Sequence, residues 1–244
     1  MNIFIIGGTG LIGSASAQEL LSRGHKVKTL ALAPLPKAVL AKEMDIILGD
    51  MFQLDDKTLI SYMKGSDALI FAAGIDERVN FPAPCYPHFK KNNVDILSRL
   101  FKLAKASGIR KALVCGSYFS HFDKIWPQLE LEKHHPYIRS RREQERTALS
   151  FDDDSFTVAI LELPYIFGVK PDIKPVWTIL VEQILSMKFA TFYPRGGTTM
   201  ITLKQTAQAL AGALENPNTR KCYPIGWYNM SWRDMISIFH KAMG

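Results

Sequence analysis

Tyr137, Arg141 and Ser117 are the residues of this chain whose types and spacing suit proton transfer. The segment Tyr137-Ile-Arg-Ser-Arg141 opens a helical pattern, and its i to i+4 spacing puts phenol and guanidinium on one face, one turn apart. A fixed cation there favours the phenolate, which suits Tyr137 to general acid–base work near neutral pH. Ser117 follows an apolar run that ends at Gly116, so its hydroxyl falls at the C-terminal edge of a sheet. From that edge it can hydrogen-bond a substrate carbonyl or alcohol oxygen. The competing reading, a surface tyrosine and a turn serine, loses weight only if the rest of the chain builds a site around them.

The elements that must do so begin at the N-terminus. Ile3 to Ile6 is a continuous apolar run, the pattern of a buried parallel strand. It enters Gly7-Gly8-Thr9-Gly10-Leu11-Ile12-Gly13 and then the helical pattern Ser14-Ala-Ser-Ala-Gln-Glu-Leu-Leu. Strand, glycine turn and helix start make a place for a diphosphate. Gly7 allows the tight turn, Gly10 removes the Cβ from the ligand's path, and Gly13 lets helix and strand pack closely. The free N–H groups of the first helical turn, over Leu11, Ile12 and Gly13, then face the anion.

Strand and helix signals alternate along the chain, which predicts an α/β fold with a doubly wound parallel sheet. Strands are expected at 26–32, 45–50, 67–74, 110–116 and 156–163, with helices at 56–64 and at about 92–107, the latter stopped by Gly108. Residues 75–90 and 118–136 read as long irregular segments after strand ends, where open α/β sheets place their ligands. Past residue 164 the composition turns to prolines, aromatics and short helices. The resulting division is a dinucleotide-binding domain over 1–165 and a small substrate lobe over 166–244, interleaved with it.

Bulk properties narrow the classes. With 244 residues, 47% of them apolar, the chain can bury one large core. No apolar stretch is long enough to span a bilayer, and no basic leader precedes the first strand. Cys85, Cys115 and Cys222 are odd in number and far apart, which argues against a disulfide framework and against a cysteine zinc site. A reducing cytoplasm is the expected setting. His134 and His135 precede a proline without an acidic cluster, so no metal is expected. The net charge of +7 raises the question of nucleic acid, yet the basic stretch with Arg139, Arg142 and Arg146 interleaves glutamates at helical spacing, as on a solvated face. A small-molecule substrate is expected and a nucleic-acid partner is not.

These motifs resemble the short-chain dehydrogenase/reductase superfamily, in particular its extended and atypical branch of epimerases, dehydratases and related reductases. The family's Ser after the fifth strand, its Tyr-x-x-x-Lys and its upstream Asn match Ser117, Tyr137 and Asn93, and Glu145 matches a recurrent acid on the same helix. Asp50, with Met51 beside it, resembles the adenine-contacting position. Ala72-Ala73-Gly74 resembles the turn after the fourth strand, Leu163-Pro164-Tyr-Ile-Phe-Gly168 the loop beside the nicotinamide, and Asn229-Met-Ser-Trp-Arg-Asp the start of the final lobe helix. The resemblance implies a Rossmann fold, NAD or NADP as cofactor, and an oxidoreductase, epimerase or dehydratase acting on a small molecule, nucleotide-sugars included. It also implies dimerisation through the 92–107 and Tyr137 helices.

The chain departs from the pattern at defined places. Arg141 replaces the family lysine, Glu162 replaces an arginine common after the sixth strand, and Ala31-Leu32-Ala33 offers neither the acid of NAD-preferring members nor the arginine of NADP-preferring ones. Lys37 is the basic residue nearby that could meet a 2′-phosphate. Ending at Gly244, the chain is short of many extended members, which implies a reduced lobe. Without the lysine, a non-catalytic NAD(P)-binding redox sensor stands as the alternative.

Overall fold

The apolar runs become strands and the amphipathic runs become helices, in a computed structural model that describes residues 1–35, 43–171, 174–187, 193–216 and 218–243. β1 (Asn2–Ile6) enters the glycine turn and α1 (Leu11–Ser22), and β2 (Lys26–Ala31), β3 (Asp45–Leu48), α2 (Asp56–Met63) and β4 (Ala68–Phe71) follow. Next, α3 (Tyr86–Lys90), a π-helical turn at Lys91–Asp95 and α4 (Ile96–Ala106) run on without a break, and β5 (Lys111–Ser117) comes after them. α5 (Tyr118–Ile125), α6 (Leu131–His134) and α7 (Pro136–Leu149) precede β6 (Thr157–Leu163). The remainder is β7 (Tyr165–Phe167), α8 (Thr178–Ser186), β8 (Gly197–Thr202), α9 (Leu203–Glu215), β9 (Lys221–Pro224), β10 (Tyr228–Ser231) and α10 (Trp232–Met243).

Seven strands pair in parallel in the order β3-β2-β1-β4-β5-β6-β9. The direction of winding reverses between β1 and β4, which opens a crevice at their C-terminal ends, as in doubly wound Rossmann-type sheets. Alternate side chains feed two cores. Phe4, Ile6, Leu69 and Phe71 pack with α2, α4 and the α7 side, whereas Ile3, Ile5, Ala68 and Ile70 pack with α1 and α9. All four residues of β4 are buried, as expected of a strand covered on both faces.

Three features differ from the sequence expectation. The stretch 118–136 is mostly helical, because Ser117 caps α5 by accepting from the Phe119 N–H and Phe119 packs toward the α7 side. The sheet has a seventh strand, β9, whose Lys-Cys-Tyr-Pro lacks an apolar run and is held by pairing with β6. The helix expected over about 92–107 begins earlier, with α3 and the π turn leading into it. Residues after 165 serve both layers: α9 and β9 extend the main sheet assembly, while β10, β8 and β7 form a second, three-stranded sheet. Lys37 lies outside the described residues.

Helix starts are closed by side chains at α2, where Asp55 accepts from Thr58 N at 3.0 Å, and at α9, where Thr202 and Gln205 form a capping box. The start of α1 is not. Gly10 is its N-cap, no side chain caps it, and its first turn holds no acid.

Glycine at position 13 is required by contact, because a Cβ there would stand 2.2 Å from the Gly7 carbonyl oxygen. Gly212 in α9 has nothing within 4 Å of its Cβ position. Gly13→Ala should therefore cost about 1–3 kcal/mol through forced backbone shift, whereas Gly212→Ala should gain about 0.5–1 kcal/mol from helix propensity. Denaturant unfolding of the two variants checks the contrast, and equal effects would refute it.

Candidate active site

The glycine turn is fixed from below by a buried hydroxyl. Thr29 Oγ1 donates to Ile5 O at 2.7 Å and accepts from Gly8 N at 3.0 Å, tying the turn to β1 and β2. Gly7 has φ +86°, and Gly10 N donates to Gly7 O at 3.1 Å. The left-handed conformation at Gly7 and the close approach at Gly13 are what glycine supplies here. They bring α1 against the strand end with the N–H groups of its first turn without a side-chain cap, a geometry that takes phosphate oxygens.

Across the crevice, Ser117 is the last residue of β5 and Tyr137 lies in the first turn of α7, entered through Pro136. Tyr137 OH donates to Ser117 Oγ at 3.3 Å, and both side chains are buried. Arg141 lies one turn on, its guanidinium carbon 5.9 Å from the centre of the Tyr137 ring. Its Nη2 donates to the Cys115 carbonyl at 2.5 Å, its Nε has no hydrogen-bond partner, and no carboxylate pairs with it among the described residues. The expected pull of this cation on the phenol is present, as is that of Ser117. Burial outweighs both and holds the Tyr137 pKa above its ordinary value, with Glu77 and Asp76 pushing the same way. Tyr137 therefore holds its proton at neutral pH. Burial also pushes the Cys115 thiol up to about 12, which fits its packing role on β5.

Asn93 lies in the π turn, fully buried. Its amide clasps the main chain of Ile75, accepting from Ile75 N at 3.0 Å and donating to Ile75 O at 3.1 Å and to Ser140 Oγ at 3.2 Å. Gly74 (φ +131°) makes room, since a Cβ there would meet Asn93 Oδ1 at 2.8 Å. Asn93 thus positions the loop after β4 and joins it to the Tyr137 helix.

One cleft of about 480 Å³ gathers Gly10, Leu11 and Ile12, Ala72 to Gly74, Ser117, Tyr137, Arg141 and Pro164. Gly7, Gly13 and Asn93 act beneath its surface. Asp50 and Met51 lie apart from it, after β3: Asp50 Oδ1 accepts from Phe52 N at 2.9 Å, and Met51 O accepts from Arg99 Nη1 at 2.9 Å. Sequence reading missed Asp76 to Arg78, Tyr118, Trp177 and Thr198, which also line the cleft. The Tyr118-Phe119-x-x-Phe122 spacing was the available signal for the α5 wall. Among residues of the same segment, Phe122 lines the cleft, whereas Asp123 anchors the loop by accepting from Glu132 N and Arg142 Nε, each at 2.9 Å. Arg142 and Arg146 are ion-paired with acids and Arg139 lies over Tyr86, so the basic face of α7 is engaged within the chain.

The model of the NAD dependent epimerase/dehydratase family matches residues 3–225. The chain belongs to this family. Its relatives include the decarboxylating sterol-4-alpha-carboxylate 3-dehydrogenase of Dictyostelium discoideum, 23% identical over 86% of this chain, which spans 66% of that protein's length. UDP-glucose 4-epimerase of Klebsiella pneumoniae is 28% identical over 57% of this chain and 100% of that sequence. Among solved structures, UDP-glucuronic acid 4-epimerase from Bacillus cereus, in complex with UDP-glucuronic acid and NAD, superposes with a TM-score of 0.76 at 18% identity, covering 99% of this chain and 82% of that one. That likeness establishes the shared fold.

Where the epimerase/dehydratase family pattern commonly has arginine after the sixth strand, Glu162 is fully buried here. The compensating cation comes from another element: Lys124 of α5 forms ion pairs with Glu162 and, at 3.4 Å, with Glu145 of α7. Arg142 bonds Glu145 at 2.9 Å, His121 Nδ1 lies 3.8 Å from Glu162 Oε2, and ligand atoms of Glu145, Glu162 and Cys222 fall within 4.8 Å of one another. Burial, with Glu145 adding to it and Lys124 opposing, raises the Glu162 pKa from about 4.5 to about 7.

Because the folded state binds this proton more tightly than the unfolded chain, the Glu162 contribution to stability is full below about pH 4.5 and declines until about pH 7. Urea unfolding across that range should show the wild type losing stability relative to Glu162→Gln as pH rises. Parallel curves would count against the buried, proton-holding carboxyl.

Proposed function

We propose that this protein is an NAD(P)-dependent oxidoreductase, epimerase or dehydratase acting at a hydroxyl-bearing or carbonyl carbon of a small molecule. The observation that carries the reading is the buried Tyr137 OH to Ser117 Oγ contact at 3.3 Å, in one cleft with the uncapped start of α1. Family membership supports the cofactor class, and the family relatives named above include a dehydrogenase and epimerases.

The residues fit a dinucleotide. The first-turn N–H groups of Leu11, Ile12 and Gly13 would hold the diphosphate, with Gly7 and Gly10 shaping the turn. Asp50 and Met51 would border the adenine, Ala72 to Gly74 and Pro164 the nicotinamide side, and the Arg141 guanidinium, which lines the cleft, would meet the ribose hydroxyls. Asn93 would hold the loop that contains Gly74. Neither an acid nor an arginine marks the described end of β2, where Leu32 is 63% exposed, so NAD and NADP both remain within the proposal. When bound, the nicotinamide supplies or accepts a hydride.

The chain's own groups then move the proton. Tyr137 donates it to a carbonyl oxygen being reduced, or takes it from a hydroxyl being oxidised. Ser117 holds that same oxygen in line, and Arg141 supplies positive charge beside the phenol. The raised Tyr137 pKa favours the reducing direction at neutral pH, and the oxidising rate rises with pH as the phenolate forms.

The alternative of a cofactor-binding sensor draws on Arg141, whose Nη2 is committed to Cys115 O where the family has lysine. Thermal unfolding with each of the four nicotinamide nucleotides, followed by kinetics of Tyr137→Phe, separates the two. Cofactor at a hundred times its Kd adds about 2.7 kcal/mol, a rise of roughly 5–10 °C in Tm for this size. Tyr137→Phe should keep that rise and lose about 100-fold or more in kcat. A wild type that binds cofactor yet turns over no alcohol or ketone favours the sensor, and no thermal shift with any nucleotide sinks both readings.

A further inference from the structure

Two groups of aromatic side chains line the cleft that holds Tyr137. On one side Trp177 lies against Tyr165 at 4.6 Å and stacks on Phe167 at 4.7 Å, and its Nε1 donates to Ile166 O at 2.7 Å. Leu180 and Val176 extend that wall from α8 and the turn before it. On the other side α5 presents Phe119 and Phe122, which meet edge to face at 6.2 Å, and Phe119 lies edge-on to Tyr137 at 6.1 Å. A Trp locked by its own hydrogen bond and packed on two rings is a preformed apolar surface rather than a flexible one.

The charges of the cleft point the same way. Among its described lining residues the cations are Arg78 and Arg141. Asp76 takes Arg78, accepting from its Nε at 3.0 Å and again from Nη2, and Arg141 is bonded to Cys115 O on the cofactor side. Glu77 adds a further carboxyl group to the same lining. A nucleoside diphosphate brought against these walls would place its negative charges beside apolar rings and Glu77, and among the described lining residues the cation not paired with an acid is Arg141, buried and bonded to Cys115 O.

We propose that the substrate is an uncharged, mainly apolar, ring-bearing alcohol or ketone, and that the cleft discriminates against nucleoside-diphosphate sugars. The inference rests on the oxidoreductase reading of the same site. The ring system lies between the Trp177 and Phe119–Phe122 walls, and its single oxygen reaches Tyr137 and Ser117, the polar pair between them.

Titration calorimetry on cofactor-saturated protein tests this, with decalone and phenylcyclohexanone as neutral probes and UDP-glucose and UDP-glucuronic acid as charged ones. The ketones should bind about tenfold or more tightly than either UDP-sugar, and Leu180→Arg should weaken the ketones about tenfold while leaving the cofactor-induced thermal shift unchanged. UDP-sugar binding equal to or tighter than ketone binding would overturn the proposal, as would ketone affinity indifferent to Leu180→Arg or absent altogether. If no cofactor binds, the oxidoreductase reading falls, and the same titrations on the free protein still decide between ketone and UDP-sugar.

Discussion

The close approach of α1 to the end of β1 is the constraint on which the rest of the molecule depends. A helix can begin that near a strand only if the crossing residue has no side chain, and Gly13 meets the condition at the Gly7 carbonyl. The approach puts the positive end of a helix at the point where strand order reverses, between β1 and β4. Side chains close the starts of α2, α5 and α9, whereas α1, like α3, α4, α6, α7 and α8, has no side-chain cap, and Gly10 leaves its first turn to backbone N–H groups beside the crevice. Thr29 then removes the remaining freedom of the turn by engaging Gly8 N and Ile5 O together.

Opposite that turn, polar groups buried in the sheet and in α7 are kept in place by saturating one another. Asn93 spends its side-chain amide on Ile75 and Ser140, and Gln144 donates to Asn93 O at 2.6 Å. The loop after β4 and the helix bearing Tyr137 are thereby one rigid unit, as buried polar networks are when fully satisfied. Arg141 is less completely satisfied, as are Ser120, Glu145 and Glu162. A buried guanidinium with an unbonded Nε and no paired acid among the described residues is costly in the chain alone.

Behind the cleft, the ion network shows how a family pattern is kept in balance when its residues change. With glutamate at position 162, two carboxylates face each other in the core, a repulsion that Lys124 reduces from α5. The same helix carries Phe119 and Phe122 into the cleft, so the charge that neutralises the core also anchors one wall of the site. The second wall, with Trp177 and Leu180, comes from the part of the chain after β7. The distance between the walls and their apolar character are set by elements far apart in sequence.

What the sequence alone determined were the local matters. Apolar runs ending in glycine are strands of a parallel sheet because both faces are covered, so six of the seven main strands and the glycine turn after β1 were legible from residues 1 to 163. Tyr137 and Arg141 share a helix face because helical periodicity fixes it, and Ser117 sits at a strand end because its run stops there. Tertiary structure decided everything that needs a distant partner. β9 exists because β6 has an open edge, and Asn93 is a clasp because Ile75 passes it. Likewise, Glu162 is tolerated because Lys124 reaches it from another element, and Tyr137 holds its proton because burial outweighs the arginine that spacing had placed beside it. Spacing along a chain encodes which groups share a face; the dielectric and the neighbours that set their energies come only from the fold around them.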